Sequence, residues 1–355
     1  MKHNRRPLIS LLLALIMALS FVPATAVSSS ALGLNLFGSK SSNSNATPKQ
    51  SGTYIAGSNG NYQLYQDGKV QSNFNGTMYG AINGKTGYWY IQNGKVQMNY
   101  TGITQTTVAG KAGKYYIQNG CVRTDYNGDV SVEKGRKAYT LSNGRVVGYQ
   151  INVPQINQMP DYPTGCEAAS STSLLNWYGV NATLDEMINT IPRENIYIED
   201  EKPYGPSIYE KFVGDPTSTY TAGNPGYGAF APVVTKALNQ SIAKHRSSKK
   251  AVNITGTAPS ALYNKVRNGD PVLVWATYNM KVPNTVNAWY VKTNDGGEYY
   301  FTYPRGTHVM ILCGVNDEQG TVTVMDPYGA TFKTFYKSDF ESKYDLLGKM
   351  AITIQ

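Results

Sequence analysis

Residues 163–179, PTGCEAASSTSLLNWYG, predict a helix that begins at a cysteine. The Pro-Thr-Gly segment interrupts regular structure, apolar side chains then recur at helical spacing, and Gly179 ends the pattern. Cys166 therefore opens the helix, where unpaired backbone amides and the positive end of the helix dipole favour a thiolate. Cys166 could also be a buried filler or half of a disulfide, and the rest of the chain discriminates among these possibilities.

The start of the chain predicts export. Residues 1–26 join a basic start to an apolar run of about 15 residues and an Ala24-Thr25-Ala26 ending, which is the layout of a cleaved signal peptide. An uncleaved anchor is the alternative, but a spanning helix needs roughly 20 apolar residues, and no later segment is long enough. We expect a secreted mature chain without a transmembrane segment. Its three cysteines are an odd number without framework spacing, so at least one thiol stays free.

Composition excludes several classes of partner. The formal net charge of +9 loses the three charges of Lys2, Arg5 and Arg6 with the signal and becomes +6. This mild basicity suits an acidic cell surface or solubility alone, and no nucleic-acid motif accompanies it. Three cysteines and the two histidines of the mature chain form no ligand cluster, so no metal and no organic cofactor is implied.

A repeat with a period of 26 occupies residues 53–149, after a linker at 27–52 that is rich in Ser, Asn and Gly. The copies are LYQDGKVQSNFNG, YIQNGKVQMNYTG, YIQNGCVRTDYNG and a shortened YTLSNGRVVGY. Asn-Gly or Asp-Gly between aromatic and β-branched runs predicts a small type I′ hairpin in each copy. Such hairpins are stable only when they stack, so we expect an elongated, all-β, solenoid-like module.

The repeats resemble the cell-wall-binding and choline-binding modules of proteins secreted by Gram-positive bacteria, most clearly in GYWYIQNGKVQMNYTG. In that family, rings of neighbouring hairpins bind quaternary ammonium groups or stack on sugars. The resemblance implies a ligand such as cell-wall polysaccharide or teichoic acid. The repeats depart from the choline-binding pattern in holding a single tryptophan, Trp89, and the same rings could instead form the core between hairpins. The candidate ligand-binding residues are Tyr88, Trp89, Tyr90, Tyr115 and Tyr116.

A cysteine nucleophile needs a base, and His308 is the candidate. Of the other histidines, His3 leaves with the signal, and His245 lies in AKHRSSKK, which predicts a solvated loop. His308 begins the apolar run HVMILCGV, and TVTVMDPYG reads as a second strand that ends at Asp326. An antiparallel pair joined by the turn NDEQG places His308 beside Asp326. Cys313, at an odd offset from His308, is expected on the opposite face as an inert core thiol.

Three further predictions concern the surroundings of Cys166. An amide donor is needed to stabilise the charge on an attacked carbonyl oxygen. Gln158, eight residues before Cys166, is our choice, with Gln155 the alternative and the Cys166 backbone amide as a second donor. Two acidic residues and one tryptophan have no expected role in the mechanism. We expect the acidic pair to be solvated or capping and the tryptophan to lie in the core or cleft wall; they are Glu167, Asp317 and Trp275.

Residues 150–355 resemble a known family through an ordered set of motifs: NVPQINQMPDYPTGCEAAS, GYGAFAPVV, GDPVLVWAT and GTHVMILCGVND with VMDPYG. They look like the papain-like bacteriocin-processing cysteine peptidases, family thirty-nine, in its secreted peptidase-like branch. The resemblance implies a papain-like α+β domain with Cys166 as nucleophile, His308 as general base and acid, Asp326 orienting His308, and Gln158 at the oxyanion. Transporter-linked members cut after a double glycine beside an export unit that this chain lacks, so that substrate is not transferred.

The expected function is therefore a secreted cysteine peptidase, held at the cell envelope by its repeats, that hydrolyses peptide or isopeptide bonds in a peptide or protein substrate. Two alternatives stay open. The same residues could transfer the acyl group to an amine, as transglutaminases do, or the domain could be catalytically silent and the chain an adhesin. Amine incorporation distinguishes the first alternative, and an unreactive thiol distinguishes the second.

Overall fold

The computed structural model describes residues 51–219 and 225–355. The predicted signal peptide, and the predicted linker up to residue 50, lie outside the described residues. Within the two described ranges, no helix is both long and apolar enough to cross a membrane.

The repeat region consists of strands joined by tight turns. Their bounds are β1 Thr53–Ser58, β2 Asn61–Gln66, β3 Lys69–Val70, β4 Gly76–Ile82, β5 Lys85–Gln92, β6 Lys95–Val96, β7 Gly102–Val108, β8 Lys111–Gln118, β9 Cys121–Val122, β10 Gly128–Val132, β11 Lys137–Ser142 and β12 Arg145–Ile151. Each of the middle copies is a long hairpin, β4 with β5 or β7 with β8, followed by a two-residue return strand.

The Asn-Gly and Asp-Gly turns are of the predicted type and close the predicted small hairpins. Asn93 and Gly94 have φ of 48° and 73°, as a type I′ turn requires, and they join β5 to the short strand β6. The long hairpins close elsewhere, at Asn83-Gly84 and Ala109-Gly110. The predicted hairpin at each of these turns is confirmed, and every middle copy holds a second, longer hairpin that was not predicted.

Successive copies contact one another at corresponding positions. The amides of Leu64, Tyr90 and Tyr116 donate to the carbonyls of Gly94, Gly120 and Gly144, at 2.9, 2.8 and 2.8 Å. Each short return strand is thereby hydrogen bonded to the long strand of the preceding copy. The backbone approaches too closely for a side chain here, because a Cβ on Gly94 would lie 2.4 Å from the Gln71 carbonyl oxygen.

The rest of the chain combines helices with two sheets. The helices are α1 Cys166–Trp177, α2 Leu184–Thr190, α3 Ala231–Lys244, α4 Pro259–Asn268 and α5 Lys337–Leu346. The strands are β13 Arg193–Glu194, β14 Tyr197–Glu199, β15 Lys202–Tyr204, β16 Phe212–Val213, β17 Ala251–Asn253, β18 Val272–Thr277, β19 Val286–Lys292, β20 Glu298–Pro304, β21 Thr307–Asn316, β22 Thr321–Asp326, β23 Thr331–Tyr336 and β24 Ala351–Ile354.

An antiparallel sheet in the order β17, β24, β18, β21, β22, β23 carries the second half of the chain. Helix α1 packs directly on β21 and β18, because its buried face consists largely of alanine and serine, which allow a close approach. The Ser170 hydroxyl donates to the Val309 carbonyl of β21 at 3.0 Å. A smaller sheet joins the hairpin β14 and β15 to the hairpin β19 and β20.

Strand β12 links the repeats to this α+β region. Its residues Gly148–Gln150 pair with Gly314–Asn316 at the end of β21, while the same strand pairs with β11 of the last repeat. The predicted boundary between residues 149 and 150 thus falls inside a strand that belongs to both parts. Main-chain hydrogen bonds, as well as the peptide chain, join the repeats to the second region.

Candidate active site

Cys166 lies at the edge of a cavity of about 320 Å³ that is lined largely by apolar surface. The cysteine is the first residue of α1, as predicted, and it is 7% exposed. Gln158 and His308 line the same cavity from the segment before α1 and from the start of β21. The fold therefore brings three of the predicted site residues to one cavity, with Asp326 behind His308.

His308 and Asp326 meet as the predicted antiparallel hairpin requires. Strands β21 and β22 pair directly, and His308 Nε2 lies 2.6 Å from Asp326 Oδ1. A carboxylate only accepts hydrogen bonds, so Nε2 carries the hydrogen and Nδ1 is left as the basic nitrogen of the neutral ring. The His308 ring also packs edge-on against Tyr278, with 5.4 Å between ring centroids. These two contacts fix the plane of the imidazole.

Asp326 is fully buried and receives three hydrogen bonds. Besides His308, the Tyr328 amide donates to Oδ1 at 2.9 Å and Lys333 Nζ donates to Oδ2 at 2.6 Å. Burial alone would raise the pKa of the Asp326 carboxyl, but the contacts with His308, Lys333 and the Tyr328 amide outweigh it and lower that pKa. The carboxylate is therefore kept ionised beneath the imidazole.

Gln158, and not Gln155, is placed beside Cys166. Gln158 is 2% exposed, and its Nε2 donates to the Pro163 carbonyl at 2.7 Å and to the Tyr162 carbonyl at 3.3 Å. Its Oε1 is buried and has no hydrogen-bond partner among the described residues. Gln155 is exposed and donates to the Ala330 carbonyl at 2.7 Å. Of the two candidates, only Gln158 lines the cavity.

The environment of the Cys166 thiol differs from the sequence prediction. Burial, followed by the charge of the neighbouring Glu167, raises the pKa of the thiol well above its ordinary value. The thiol donates to Glu167 Oε2 at 3.3 Å. Desolvation and the like charge of Glu167 therefore oppose the thiolate that the helix terminus was expected to favour.

Glu167 is not solvated, which was one of the two predictions, but its carboxylate does accept a hydrogen bond from its own backbone amide in the first turn of α1. It is 2% exposed, and its Oε1 accepts a hydrogen bond from the Ala229 amide at 2.7 Å. The carbonyl of Ala229 accepts from Trp275 Nε1 at 3.0 Å, and Trp275 is a core residue, as predicted. Asp317 is also not simply solvated, because it pairs with Arg267 and Lys337.

His245 does not lie in a solvated loop. It caps the C-terminus of α3, and its Nε2 lies 2.9 Å from Glu186 Oε2. Polar sequence was the only signal for the loop prediction, and it does not reveal a partner that is distant in sequence.

The other two thiols are buried and unpaired. Burial raises the pKa of Cys313 to about 12, consistent with the expected inert core thiol. The register of β21 shifts next to Cys313, so the simple alternation used to assign its face does not hold there. Burial also raises the pKa of Cys121, which packs in the repeat core.

Sequence reasoning missed Lys333, whose Nζ binds Asp326, contacts Asn279 Oδ1 at 3.0 Å and lies 5.0 Å from the Tyr278 ring centroid. The sequence of β23 does not single out Lys333, because Phe332 and Tyr336 on one face and Phe335 on the other are all aromatic. The partner could not have been found without the pairing of β22 with β23.

The predicted ligand-binding rings of the repeats are mostly core residues. Trp89 and Tyr115 are 3% and 4% exposed, and they donate to the carbonyls of Gly80 and Lys111. The prediction that these two rings face a ligand is wrong, because a buried ring has no face to offer. Tyr116 is half-buried and packs against Tyr126.

Tyr88 and Tyr90 line a groove of about 660 Å³ together with Tyr79, which is 60% exposed. The Tyr79 and Tyr88 rings lie 5.1 Å apart. Threonine and glutamine side chains of neighbouring strands complete the groove; they include Thr77, Gln92, Gln105, Thr106 and Thr107.

No cluster of three or more His, Cys, Asp or Glu side chains suited to a metal ion occurs in residues 51–219 and 225–355.

Comparison with known proteins concerns the second half of the chain. A model of the Peptidase_C39 like family matches residues 150–352. The uncharacterized protein YvpB of Bacillus subtilis (strain 168) is 28% identical over 207 residues, which are 58% of this chain and 75% of that protein.

Two solved structures are also similar. A putative C39-like peptidase from Bacillus anthracis superposes with a TM-score of 0.48 and 24% identity, over 57% of this chain and 94% of its own. A double glycine motif protease from an AMS/PCAT transporter, in complex with the leader peptide, superposes with a TM-score of 0.30 and 15% identity, over 58% and 91% of the two chains.

Proposed function

This chain belongs to the Peptidase_C39 like family, and we propose that it hydrolyses peptide or isopeptide bonds with Cys166, His308 and Asp326. Membership supports a cysteine peptidase kind of function. The observation that carries the assignment of residues is the 2.6 Å contact between His308 Nε2 and the buried Asp326, at the cavity that Cys166 also lines. A base held by a buried carboxylate beside a cysteine is the arrangement that nucleophilic catalysis needs.

In the proposed reaction, Cys166 Sγ attacks the carbonyl carbon of the scissile bond and its proton passes to His308 Nδ1. Asp326 stabilises the imidazolium that forms and holds the ring in one tautomer. The imidazolium then protonates the leaving amine, which departs and leaves an acyl thioester on Cys166. His308 takes a proton from water, and the resulting attack releases the carboxylate product and the free thiol.

Gln158 and the Cys166 backbone amide are the proposed donors to the oxyanion. In the resting structure both carbonyls near Gln158 Nε2 accept from it, and the 3.3 Å contact with Tyr162 is the longer of the two. We propose that the N–H of this longer contact turns to the oxyanion as charge develops. The 2.7 Å bond to Pro163 keeps the amide in place during the exchange.

Replacing Gln158 by Ala is expected to lower kcat by about 10²- to 10³-fold while KM changes little, because the lost donor acts mainly in the transition state. Gln155→Ala is the matched control, since Gln155 is exposed and outside the cavity. Steady-state kinetics on a fluorogenic peptide measure both constants. Equal losses of kcat in the two variants, or a loss confined to Gln155→Ala, would show that Gln158 is not the oxyanion donor.

The reaction type is tested by incubating the full chain with a peptide mixture in H₂¹⁸O, with and without a primary amine acceptor. Hydrolysis places ¹⁸O in new carboxyl termini, and this is the expected product. Amine adducts in place of ¹⁸O would favour the acyl-transfer alternative. Intact peptides under both conditions would favour a silent domain, in which the repeats carry the function.

We further propose that the chain is secreted and that its repeats hold it at the cell envelope, on cell-wall polysaccharide or teichoic acid. The signal-like residues 1–26 and the groove beside Tyr79 support this proposal. The exposed Tyr79 ring and the half-buried Tyr88 ring, next to threonine and glutamine side chains, suit sugars, which present apolar faces and hydroxyl groups together. Retention would raise the concentration of the enzyme near wall-associated peptides.

Tyr79→Ala is expected to reduce binding of the full chain to purified cell walls by about threefold or more, because it removes an exposed stacking surface. Tyr300→Ala is a matched control, because Tyr300 is 58% exposed, against 60% for Tyr79. Its ring centroid lies 4.9 Å from that of another tyrosine, Tyr290. Cosedimentation measures the bound fraction. If the two variants sediment alike, the groove is not the binding site.

A further inference from the structure

Glu167 places a second ionisable group against the sulfur of Cys166. Its Oε2 lies 3.3 Å from Sγ, and its Oε1 accepts from the Ala229 amide at 2.7 Å. The carboxyl group is 2% exposed, and Oε1 occupies the space beside Gly228 that a side chain there would need. Buried carboxylates are rare unless they are paired with a cation or have a function.

We propose that Glu167 is a further catalytic residue, whose ionised carboxylate holds the Cys166 thiol in its resting state and whose protonated carboxyl supports the thiolate. The inference rests on the proposed function in treating Cys166 as the nucleophile. In this proposal the charge of Glu167 controls when the Cys166 thiolate forms, whereas His308 accepts the thiol proton and Asp326 orients His308.

The two states follow from the donor and acceptor capacity of a carboxyl group. In the resting state Sγ–H donates to the ionised Oε2, and a thiolate at 3.3 Å would meet a like charge. One added proton on Oε2 reverses the direction of the bond. The thiol proton then passes to His308 Nδ1, Sγ⁻ accepts the Glu167 O–H, and Oε1 continues to accept from Ala229.

Among the described residues, the groups that act on the Glu167 carboxyl come from its own helix, from β21 and from the segment just before α3. Cys166 contacts it on the same helix, and His308 of β21 is the nearest cationic group, whose positive form would favour the carboxylate. Asp326 of β22 stands behind His308 and is itself paired with Lys333 of β23. The charge of Lys333 is therefore paired with that of Asp326. From the α3 side, Glu167 receives only the backbone amide of Ala229.

The direction of the pH dependence follows from these contacts. Burial raises the pKa of Glu167 above its ordinary value, even though hydrogen bonds from the Ala229 amide and the thiol oppose the shift. Below that raised pKa the carboxyl is protonated and the thiolate is supported. Peptidase activity is therefore expected to fall as pH rises through the pKa of Glu167, so that the enzyme favours acidic conditions.

E167Q tests this inference, because the amide keeps an acceptor for Ala229 and presents an N–H to Sγ without a charge. We expect iodoacetamide to modify Cys166 about tenfold faster at pH 7 in E167Q, since removing a like charge lowers the thiol pKa by about one unit. The alkaline limb of kcat/KM should move to higher pH. Mass spectrometry distinguishes Cys166 from Cys121 and Cys313.

Glu186→Gln is the control, because the Glu186 side chain is 10% exposed and pairs with Lys244 and His245. It should leave the labelling rate of Cys166 unchanged. A purely structural role for Glu167 predicts that E167Q also leaves labelling and the pH profile unchanged, and that result would overturn the inference. Labelling needs no substrate, so it remains decisive even if the chain cleaves no peptide.

If E167Q does not fold, the native chain gives the same test. The pH dependence of Cys166 labelling should then follow two ionisations in His308→Ala as well as in the native chain, because the thiol pKa depends on the charge of Glu167 and no imidazole remains in the variant to supply the second step. A single ionisation across the range would contradict the inference. The two-step profile should persist in Glu186→Gln.

Discussion

Cys166→Ala is expected to lower kcat/KM for peptide hydrolysis by about 10⁴-fold or more, because Cys166 is the only thiol among the described residues that line the cavity. The other two thiols cannot replace it. Cys121 packs in the repeat core, and Cys313 is fully buried with its pKa raised to about 12. Kinetics on a fluorogenic peptide, with circular dichroism to confirm the fold, measure the loss.

Cys121→Ser is the control for Cys166→Ala, because it removes a buried thiol far along the chain in the repeats. It should retain nearly full activity. A Cys166→Ala variant that keeps more than a small fraction of the activity would show that Cys166 is not the nucleophile.

Asp326→Asn is expected to lower kcat by about 10²- to 10⁴-fold, because an amide cannot hold His308 in the required tautomer or stabilise the imidazolium. The same change should lower the free energy of unfolding by about 3 kcal/mol, since Lys333 and His308 lose the buried carboxylate that pairs with them. Urea unfolding and steady-state kinetics separate the two effects.

The stability loss in Asp326→Asn should depend on pH in a defined direction. The pKa of Asp326 is lowered in the folded chain, so its carboxylate contributes stability above the ordinary pKa of about 4 and loses it as pH falls through the folded pKa. The difference in unfolding free energy between native and variant chains should therefore be largest near neutral pH and shrink in acid.

Asp317→Asn is the matched control for Asp326→Asn. Asp317 also pairs with two cations, Arg267 and Lys337, but its side chain is 46% exposed. Exposed ion pairs contribute about 1 kcal/mol or less, so this variant should lose little stability and no activity. Equal losses of stability and activity at the two positions would contradict the proposed role of the buried Asp326 carboxylate.

Local sequence patterns predicted much of the second region. The breaker at Pro163 and the helical spacing that follows predicted the start of α1 at Cys166, and the structure confirms it. The apolar runs of β21 and β22, separated by a short turn, predicted the pairing that brings His308 to Asp326. Both predictions depended on contacts within about 20 residues, where backbone geometry limits the alternatives.

Contacts between distant segments were not predictable. The Ala229 amide that binds Glu167 comes from 62 residues away, and nothing in CEAAS indicates that this glutamate is buried. In the repeats, the small Asn-Gly hairpins were predicted, but the longer hairpin of each middle copy was not, and its Ala109-Gly110 turn in the third copy lacks the Asn-Gly signal. Burial of Trp89 likewise follows from stacking between copies, which a single copy does not reveal.

The most direct test of the central claim is to trap the acyl intermediate. The full chain is mixed with a peptide p-nitrophenyl ester, quenched in acid within the burst phase, and analysed by intact mass and peptide mapping. We expect one acyl group, on Cys166, removed by hydroxylamine and absent from Cys166→Ala, because a thioester is the predicted intermediate. An acyl group on another residue, or turnover with no adduct on Cys166, would contradict the account.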